Sequence, residues 1–364
     1  MKNLVTIVGN RPQFIKMAPV SRVLKNRGYR EIIIHSGQHF DYTMSELFFK
    51  ELEITKPEYF LNITHQSHGK MTAEILSKLE DIFQKIKPQS VLIYGDTNTT
   101  LAAALAAVKL KIRLAHVESG PRIYDIDTPE EINRIVADHA SKIRFCPDIP
   151  SIQNLAKENI TNGVYLTGDV MYDAYIYFTN ISEKKSTILR DLGLEPEKFL
   201  FLTVHRPNNT DQKEVLENML FTISKLKYKV VFAVHPRTEK SFKLYNLWDS
   251  LKAISNLVIT PPLGYLDTLA LVNNCKCVLT DSGGLQKEAY FARKKCLVLF
   301  YTTPWPQIKD CGWQKVIGCF DVVNSEVISS EIKSFSKDTW HKEIFGNGNA
   351  AEIIVDLLEK HNFV

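Results

Sequence analysis

"SVLIYGDTNTTLAAALAAVKLKIRLAHVESG", residues 90–120, is the stretch that decides the fold class of this chain. Two short apolar runs, residues 90–94 and 113–117, are separated by an alanine-rich segment of helical length. Continuous apolar strands that alternate with helices are typical of parallel sheets covered on both faces. Asp96 and Glu118 follow the two runs at the points where the strands end. The stretch therefore predicts a parallel α/β unit that places an acidic residue at two strand ends.

The same alternation extends in both directions along the chain. The first half has "LVTIVG", "EIIIHSG" and "IRFC", and the second half has "FLFLTVH", "KVVFAVH", "CVLTD" and "CLVLF". A length of 364 residues favours two domains, each with a full core. We predict two Rossmann-like, doubly wound domains: 1–172, then a linker at 173–198 where the strand rhythm breaks, and 199–345.

Composition excludes several classes of protein. The net charge of +4 is spread along the chain and no basic run interleaves with aromatic residues, so we expect no nucleic-acid partner. No apolar tract is long enough to cross a bilayer and the first strand lacks a cleavage site, so we expect a cytoplasmic protein without a membrane partner. The six cysteines form no C-x-x-C pair and are expected to be reduced core residues.

Carboxylates collect at one predicted edge of the first sheet. Asp96, Glu118 and either Glu130 or Glu131 of "TPEEINR" lie at strand ends or at a helix start. Ligands of open parallel sheets bind outside the carboxyl ends of the strands, and crowded carboxylates suit general acid and base chemistry. Two structural alternatives remain: Asp96 as the N-cap of the next helix, and Glu130 as a partner of the helix dipole.

Basic residues and a glycine turn predict an anion site. Arg11 and Lys16 flank a helix start marked by Pro12, where a phosphate or plain solvent are the alternatives. His205 and Arg206, and likewise His235 and Arg237, follow strands of the second half.

"TDSGGLQKEA" reads as strand, glycine turn and helix. The helix start at Ser282, Gly283 and Gly284 would cradle a phosphate, with Glu288 positioned for ribose hydroxyls; a tight turn with a serine cap and an exposed glutamate are the alternatives. No G-x-G-x-x-G or P-loop pattern occurs, and the pairs His35/His39 and His65/His68 lack companion ligands. We therefore expect neither a cofactor nor a metal.

The chain resembles the non-hydrolysing UDP-N-acetylglucosamine 2-epimerases over nearly its whole length. The resemblance rests on ten ordered motifs: "GNRPQFIK", "SGQHFD", "YGDTNTTLA", "HVESG", "PEEINR", "GDVMYD", "HRPNNTD", "HPRT", "PPLGYLD" and "TDSGGLQKEA". It implies two domains in the glycosyltransferase-B arrangement, an active site in the interdomain cleft, and UDP held mainly by the second domain. It also implies a C-terminal helix, within 346–364, that returns to the first domain, and a homodimer.

The resemblance further implies a reaction and roles for individual residues. UDP would be eliminated from C1 as a base removes the C2 proton, leaving a 2-acetamidoglucal to which UDP re-adds after protonation from the opposite face. The implied catalytic residues are Asp96, Glu118, Glu130 and His205, and the UDP-binding residues are Arg11, Lys16, Arg206, His235, Tyr265, Ser282, Gly283, Gly284 and Glu288. Gln38, His39, Arg122 and Arg134 are implied as sugar or allosteric contacts.

Departures from the family pattern leave the substrate open. Gln13, Ser119, Pro121 and Asn208 replace usual motif residues, and "FYTTPWPQ" at 300–307 replaces a charged segment. "RPQFIK" and "DSGGLQKEAYF" are similar to the branch that acts on UDP-2,3-diacetamido-2,3-dideoxyglucuronate, whose carboxylate would need a cation such as Arg122 or Lys309. A hydrolysing 2-epimerase, a transferase of the same fold and a UDP-sugar-binding protein without catalysis are the remaining alternatives.

Overall fold

The chain forms two compact units, each built on a parallel sheet. This computed structural model describes residues 3–37, 42–63, 67–335 and 344–364, without the side chains of residues 42–46. Unit 1 consists of Met1–Ile176 with Lys342–Val364, and unit 2 consists of Tyr177–His341. Both units have parallel strands with interleaved helices, which confirms the predicted fold class.

Sheet A, in unit 1, has seven strands among the described residues, in the order β3-β2-β1-β4-β5-β6-β7. All its pairings are parallel, with Val5 opposite both Ile32 and Val91. The strands are β1 Leu4–Val8, β2 Glu31–His35, β3 Tyr59–Phe60, β4 Ser90–Tyr94, β5 Arg113–Val117, β6 Ile143–Cys146 and β7 Val164–Leu166.

Helices cover both faces of sheet A because its central strands are apolar on both sides. They are α1 Arg11–Asn26, α2 Tyr42–Glu51, α3 His68–Ile86, α4 Asn98–Lys109, α5 Pro129–Ala140, α6 Ile149–Lys157 and the C-terminal α17 Ala350–Lys360. The core joins Val5 and Ile93 of the sheet to Ile75 of α3 and to the alanines of α4. These small alanine side chains allow α4 to pack closely against its neighbours.

Sheet B, in unit 2, has six strands in the described part of the chain, in the order β10-β9-β8-β11-β12-β13. Its pairings are also parallel, with Phe201 opposite Val231 and Val278. The strands are β8 Phe199–Thr203, β9 Lys229–Ala233, β10 Leu257–Thr260, β11 Cys277–Thr280, β12 Lys295–Val298 and β13 Gln314–Val316.

The remaining helices complete the chain. They are α7 Val170–Lys185, α8 Ile188–Asp191, α9 Pro207–Thr210, α10 Lys213–Ser224, α11 Pro236–Leu244, α12 Trp248–Lys252, α13 Tyr265–Asn274, α14 Gly283–Phe291, α15 Pro306–Asp310 and α16 Ser325–Lys333. Helices α7 and α8 occupy most of residues 173–198, and the proposed linker stays a prediction. In the described ranges, no helix has the length and apolar character that a bilayer crossing requires.

Helix α17 packs in unit 1 against α1. Arg27, the C-cap of α1, forms ion pairs with Glu352, Asp356 and Glu359. Asp173 accepts hydrogen bonds from the N–H groups of Ala350 and Ala351, at 3.1 and 2.8 Å, and so caps the N-terminus of α17. The cysteines are free and, apart from half-buried Cys311, lie in the core, as predicted.

Each sheet has one place where the strand order reverses. In sheet A the reversal falls between β1 and β4, and in sheet B between β8 and β11. Ligands of doubly wound sheets bind outside the carboxyl ends of the strands at such switch points. The residues that follow these four strands are Asn10 and Arg11, Gly95 and Asp96, His205 and Arg206, and Asp281 to Gly284. The fold therefore places predicted site residues at the switch point of each unit.

Candidate functional site

Glu118 and Lys16 form a buried ion pair in unit 1. The Nζ of Lys16 lies 2.5 Å from Oε1 of Glu118, and the two side chains are only 8% and 6% exposed. Lys16 is in the first turns of α1, which begins at Arg11 with Asn10 as N-cap and Pro12 inside its first turn, as the sequence predicts. Lys16 therefore compensates the charge that Glu118 carries into the protein.

Gly95 makes room for this pair. Its φ of +62° lies in the left-handed region, and a Cβ at this position would lie 3.1 Å from Nζ of Lys16 and 3.8 Å from Oε1 of Glu118. Glu118 itself has a φ of +66°, which is uncommon for a residue with a side chain. Such backbone conformations concentrate at functional sites, where the surrounding structure holds them in place.

Asp96 forms an ion pair with Arg134 of α5. Asn133 fixes the same residue through its backbone, because its side-chain amide donates to the Asp96 carbonyl at 2.9 Å. The N-cap of α4 is Thr97, whose hydroxyl accepts from the N–H of Thr100 in a capping box. The alternative of Asp96 as the N-cap is therefore wrong, since the neighbouring threonine already satisfies the helix.

The two glutamates at the start of α5 have different surroundings. Glu131 is buried and accepts hydrogen bonds from the N–H groups of Ile123 and Tyr124, at 3.1 and 2.9 Å. It holds the loop that precedes the helix. Glu130 is exposed in the first turn, which leaves its carboxylate accessible to a ligand.

Arg134 lies among these carboxylates, since it pairs with Asp96 and its Nη1 lies 3.4 Å from Oε2 of Glu131. Burial of the guanidinium alone would lower its pKa, yet the charges of Asp96, Glu118, Glu131 and Glu130 together raise it above its ordinary value. A set of four carboxylates within reach of one arginine is a concentrated acidic centre. The structure thus gives Asp96 and Glu131 a shared cation in Arg134, whereas the cation beside Glu118 is Lys16.

Several contacts in unit 1 have no simple sequence signal. Gln13 accepts from the N–H of Gly9 at 2.7 Å and donates to the Tyr94 carbonyl at 2.8 Å, so it joins the ends of β1 and β4. The sequence marked Gln13 only as a departure from the motif. Arg11 lies over the Phe48 ring, with 4.5 Å between its Cζ atom and the ring centroid. Gln38 and His39 lie outside the described residues.

Arg122 is engaged in a buried ionic network. It donates to Asp138 at 2.7 Å and to both carboxylate oxygens of Glu158, at 2.7 and 2.9 Å. Its side chain is 1% exposed. The structure therefore does not place Arg122 with the accessible residues of the centre. Lys309, the other cation considered for a uronate, is exposed at the end of α15.

His205 in unit 2 rests on a buried aspartate. Its Nδ1 lies 3.0 Å from Oδ1 of Asp281, which also accepts from the backbone N–H groups of His205 and Arg206. Burial alone would raise the pKa of Asp281, but His205 and these hydrogen bonds lower it. The carboxylate thus orients the imidazole, whose side chain remains 39% exposed.

His235 lies beside His205, with 5.3 Å between the ring centroids. It is the N-cap of α11, and its Nδ1 accepts from the N–H of Arg237 at 3.2 Å. The two histidines at neighbouring strand ends are therefore brought together, as the sequence suggested. Arg237 instead forms an ion pair with Asp211, with 2.7 Å between Nη2 and Oδ2.

The glycine turn of unit 2 begins a helix as predicted. Helix α14 starts at Gly283 with Ser282 as N-cap, and the Ser282 hydroxyl makes no capping hydrogen bond. Ser282, Gly283 and Gly284 are half-buried, whereas Glu288 is buried one turn further on. The first N–H groups of a helix, with the positive end of its dipole, suit an anion.

Residues 300–307 pack against this turn. The indole N–H of Trp305 donates to the Gly283 carbonyl at 2.8 Å. Phe300 lies under Arg206, with 4.2 Å between the guanidinium carbon and the ring centroid. The unusual segment therefore supplies aromatic contacts to the cluster in unit 2. Tyr265 is fully buried and packs edge-on to Phe178, so the structure does not bring its ring to the surface.

The geometry defines a class of protein: a two-unit α/β protein with carboxylates at one switch point, and two histidines beside a glycine-rich helix start at the other. The family model for UDP-N-acetylglucosamine 2-epimerase matches residues 22–359. A relative from Methanococcus maripaludis, described as a UDP-N-acetylglucosamine 2-epimerase homolog, is 46% identical over 98% of this chain and 99% of its own.

Two further comparisons agree. The UDP-2,3-diacetamido-2,3-dideoxy-D-glucuronate 2-epimerase of Pseudomonas aeruginosa is 38% identical over 98% of this chain and 99% of its own. The crystal structure of the Methanocaldococcus jannaschii UDP-GlcNAc 2-epimerase with UDP-GlcNAc and UDP is similar with a TM-score of 0.90 and 37% identity, covering 98% of this chain and 99% of that one. The chain belongs to the UDP-N-acetylglucosamine 2-epimerase family.

Proposed function

We propose that this protein is a non-hydrolysing UDP-N-acetylglucosamine 2-epimerase that interconverts UDP-GlcNAc and UDP-ManNAc for surface polysaccharide precursors. The observation that carries the proposal is the set of carboxylates that follow the neighbouring strands β4 and β5, with Asp96 paired to Arg134, Glu118 paired to Lys16 and Glu130 exposed at the start of α5, in a chain of this family. Inversion at C2 requires one group to remove a proton and another to deliver one, and closely spaced carboxylates meet this need.

The reaction breaks two bonds and reforms them. A carboxylate takes the proton from C2 while the C1–O bond to UDP breaks with its electron pair, which leaves a 2-acetamidoglucal and UDP. A second acid then gives a proton to C2 from the opposite face, and UDP re-adds at C1. We assign these acid and base roles to Asp96, Glu118 and Glu130, without choosing which acid serves which face. Atoms and charge balance without a metal or a redox cofactor.

Unit 2 would hold the departing diphosphate. Arg206 and the N–H groups of Ser282 to Gly284 offer positive charge and hydrogen-bond donors to phosphate oxygens. His205, whose Nδ1 lies 3.0 Å from Oδ1 of Asp281, would donate a proton or a hydrogen bond to the same oxygens. Glu288 would accept from ribose hydroxyls, and His235 would support His205. Such donors stabilise the charge that develops on UDP as it leaves.

Unit 1 would add Arg11 as a further phosphate contact, whereas Lys16 would act on Glu118. The 2.5 Å pair stabilises the ionised form of this carboxylate in a buried place. Gln38 and His39 remain predictions as parts of a second nucleotide-sugar site.

The sugar is assigned to the N-acetylhexosamine class. A uronate substrate would need one more cation, and Arg122 is already paired with Asp138 and Glu158 and is 1% exposed, which leaves only Lys309 of the two candidates. The matched family model and the M. maripaludis and M. jannaschii relatives also carry the UDP-GlcNAc name. We further propose that the protein is cytoplasmic and forms a homodimer. Light scattering after size-exclusion chromatography would check the homodimer.

Proton NMR of product formation tests the proposed function. Purified protein with UDP-GlcNAc should produce UDP-ManNAc until equilibrium, without accumulation of free ManNAc. Accumulation of free sugar and UDP would instead identify a hydrolysing enzyme. Conversion of UDP-2,3-diacetamidoglucuronate alone would assign the other branch. UDP binding without turnover of either sugar would identify a binding protein.

A further inference from the structure

His116 lies directly behind the strand end that carries Asp96. It is fully buried in β5, with Nε2 2.7 Å from the Gly95 carbonyl and Nδ1 2.7 Å from Oδ1 of Asp138. A backbone carbonyl is only an acceptor, and so is an ionised carboxylate. Both ring nitrogens are therefore placed to donate, one to each partner.

The surroundings of Asp138 support the assignment of Nδ1 of His116 as a hydrogen-bond donor. The carboxylate also accepts from the Ser119 hydroxyl, from the N–H of Gly120 at 3.1 Å and from Arg122 at 2.7 Å. Burial alone would raise its pKa, but His116 and Arg122 lower it to about 2. With four donors and no proton of its own, Asp138 holds the Nδ1–H of His116 and thereby orients the ring.

The second ring nitrogen of His116, Nε2, hydrogen-bonds to the Gly95 carbonyl. The Gly95 carbonyl belongs to the peptide that leads into Asp96, and the N–H of Gly95 donates to the Val117 carbonyl at 3.0 Å. Glycine adopts the left-handed conformation of Gly95 without strain, whereas the same conformation at Glu118 needs support from its surroundings. His116 thus links the turn of Asp96 to the strand that ends at Glu118.

We propose that His116, held by Asp138, is a positioning residue that fixes the Gly95–Asp96 peptide and so sets the separation of the Asp96 and Glu118 carboxylates. The proposal rests on the epimerase function proposed above. A displacement of about 1 Å in an acid or base costs about 100-fold in rate, so a rigid link behind the turn has a direct effect on turnover. Neither His116 nor Asp138 touches the substrate in this scheme.

Two amide substitutions separate the two links. The side-chain nitrogen of asparagine can take the place of Nδ1, and that of glutamine the place of Nε2. His116→Asn therefore keeps the contact to Asp138 and loses the Gly95 link, whereas His116→Gln keeps the Gly95 link. We expect His116→Asn to lower kcat about 100-fold, with KM and the Kd of UDP unchanged within about threefold. His116→Gln should recover about tenfold of this loss.

Equal losses in both variants, or losses that follow the Tm of each variant, would overturn the proposal and leave His116 as a general packing residue. Histidine labelled with ¹⁵N gives a second test that needs no turnover. Two protected ring N–H signals from His116, identified by their absence in His116→Asn, support the double link, and a single signal overturns it. A wild-type protein without epimerase activity would refute the proposed function, while this spectrum would still decide on the link.

Discussion

Neighbouring residues in this chain take opposite roles, and Glu130 and Glu131 are the clearest pair. The carboxylate of Glu131 accepts hydrogen bonds from the N–H groups of Ile123 and Tyr124, whereas Glu130 is exposed. The sequence "PEE" offered both as acid/base candidates, because the difference arises from a loop that folds back on the second glutamate only. Similarly, the local pattern allowed Asp96 as a cap, whereas in the structure Thr97 is the cap and Asp96 pairs with Arg134, 38 residues further on.

This difference predicts opposite responses to the same chemical change. Glu130→Gln should lower kcat by about 10²- to 10⁴-fold, the usual contribution of a general acid or base, and leave the Tm unchanged. Glu131→Gln should lower the Tm, because the amide oxygen can replace Oε1 for the two backbone N–H groups but the amide NH₂ then faces the Arg134 guanidinium, and a buried donor left unsatisfied costs about 1–3 kcal/mol. Paired kinetics and thermal melts measure both. The reverse assignment, with loss of rate but no loss of Tm in Glu131→Gln, would exchange their roles.

At the scale of elements, the apolar runs of the sequence are strands at the predicted places. The runs at residues 90–94 and 113–117 correspond to β4 and β5, because each lies between helices that bury both of its faces. The order of the strands in the sheet, in contrast, could not be predicted from these runs. Nothing in the runs shows that β1 pairs with β4 and thereby creates a switch point at Gly95, since long-range pairing depends on the whole packed sheet.

The cap of α17 predicts a pH dependence of stability. Burial raises the pKa of Asp173 to about 6, although the N–H groups of Ala351 and Ala350 act to lower it. A carboxyl group whose pKa is higher in the folded than in the unfolded state favours folding while it is protonated. This contribution is complete below the unfolded-state pKa and is lost as pH rises through the folded-state pKa of about 6. Between pH 4 and 7 the wild type should lose about 3 kcal/mol relative to Asp173→Asn, which has no charge to bury.

Denaturant unfolding of both proteins at several pH values in this range measures the difference. Parallel stability curves for the wild type and Asp173→Asn would contradict the account of this cap.

The residues after α17 anchor the end of the chain in unit 1. Phe363 is fully buried, and its carbonyl accepts from the Ser90 hydroxyl at the start of β4. Phe363→Ala should cost about 3–5 kcal/mol of unfolding free energy, as for other buried phenylalanines. Phe221→Ala is the matched control, because Phe221 is 60% exposed and the change should stay within about 0.5 kcal/mol. Similar losses in both variants, measured by urea unfolding, would argue against a buried anchor.

At the scale of the whole molecule, each unit contributes chemistry that the other lacks. The sequence predicted the acids of unit 1 and the glycine turn of unit 2, because strand ends and helix starts are visible as local patterns. It did not reveal the supporting residues Gln13, His116 and Asp281 in their roles, since these depend on contacts between distant strands and helices.

UDP and a chelator provide a prediction for the complete chain. UDP at about 100 times its Kd should stabilise the protein by about 2.7 kcal/mol, seen as a rise in Tm. EDTA should leave the epimerisation rate unchanged, because the proposed reaction takes its acid, its base and its phosphate contacts from side chains and backbone N–H groups. A rate that falls with EDTA and returns with Mg²⁺ would require a metal in the reaction.

The variant Arg206→Met tests the proposed diphosphate contact. At the same UDP concentration, it should abolish most of the stabilisation by UDP.

In the proposed reaction, carboxylates of this chain remove and return the proton at C2. Incubation with UDP-GlcNAc in heavy water, followed by proton NMR of the H2 signal, tests it most directly. We predict that H2 is replaced by deuterium in both UDP-GlcNAc and UDP-ManNAc, and that Glu118→Gln slows this exchange by about 10²-fold or more while it still binds UDP. Epimerisation with full retention of H2, or no exchange at all alongside UDP binding, would contradict the claim.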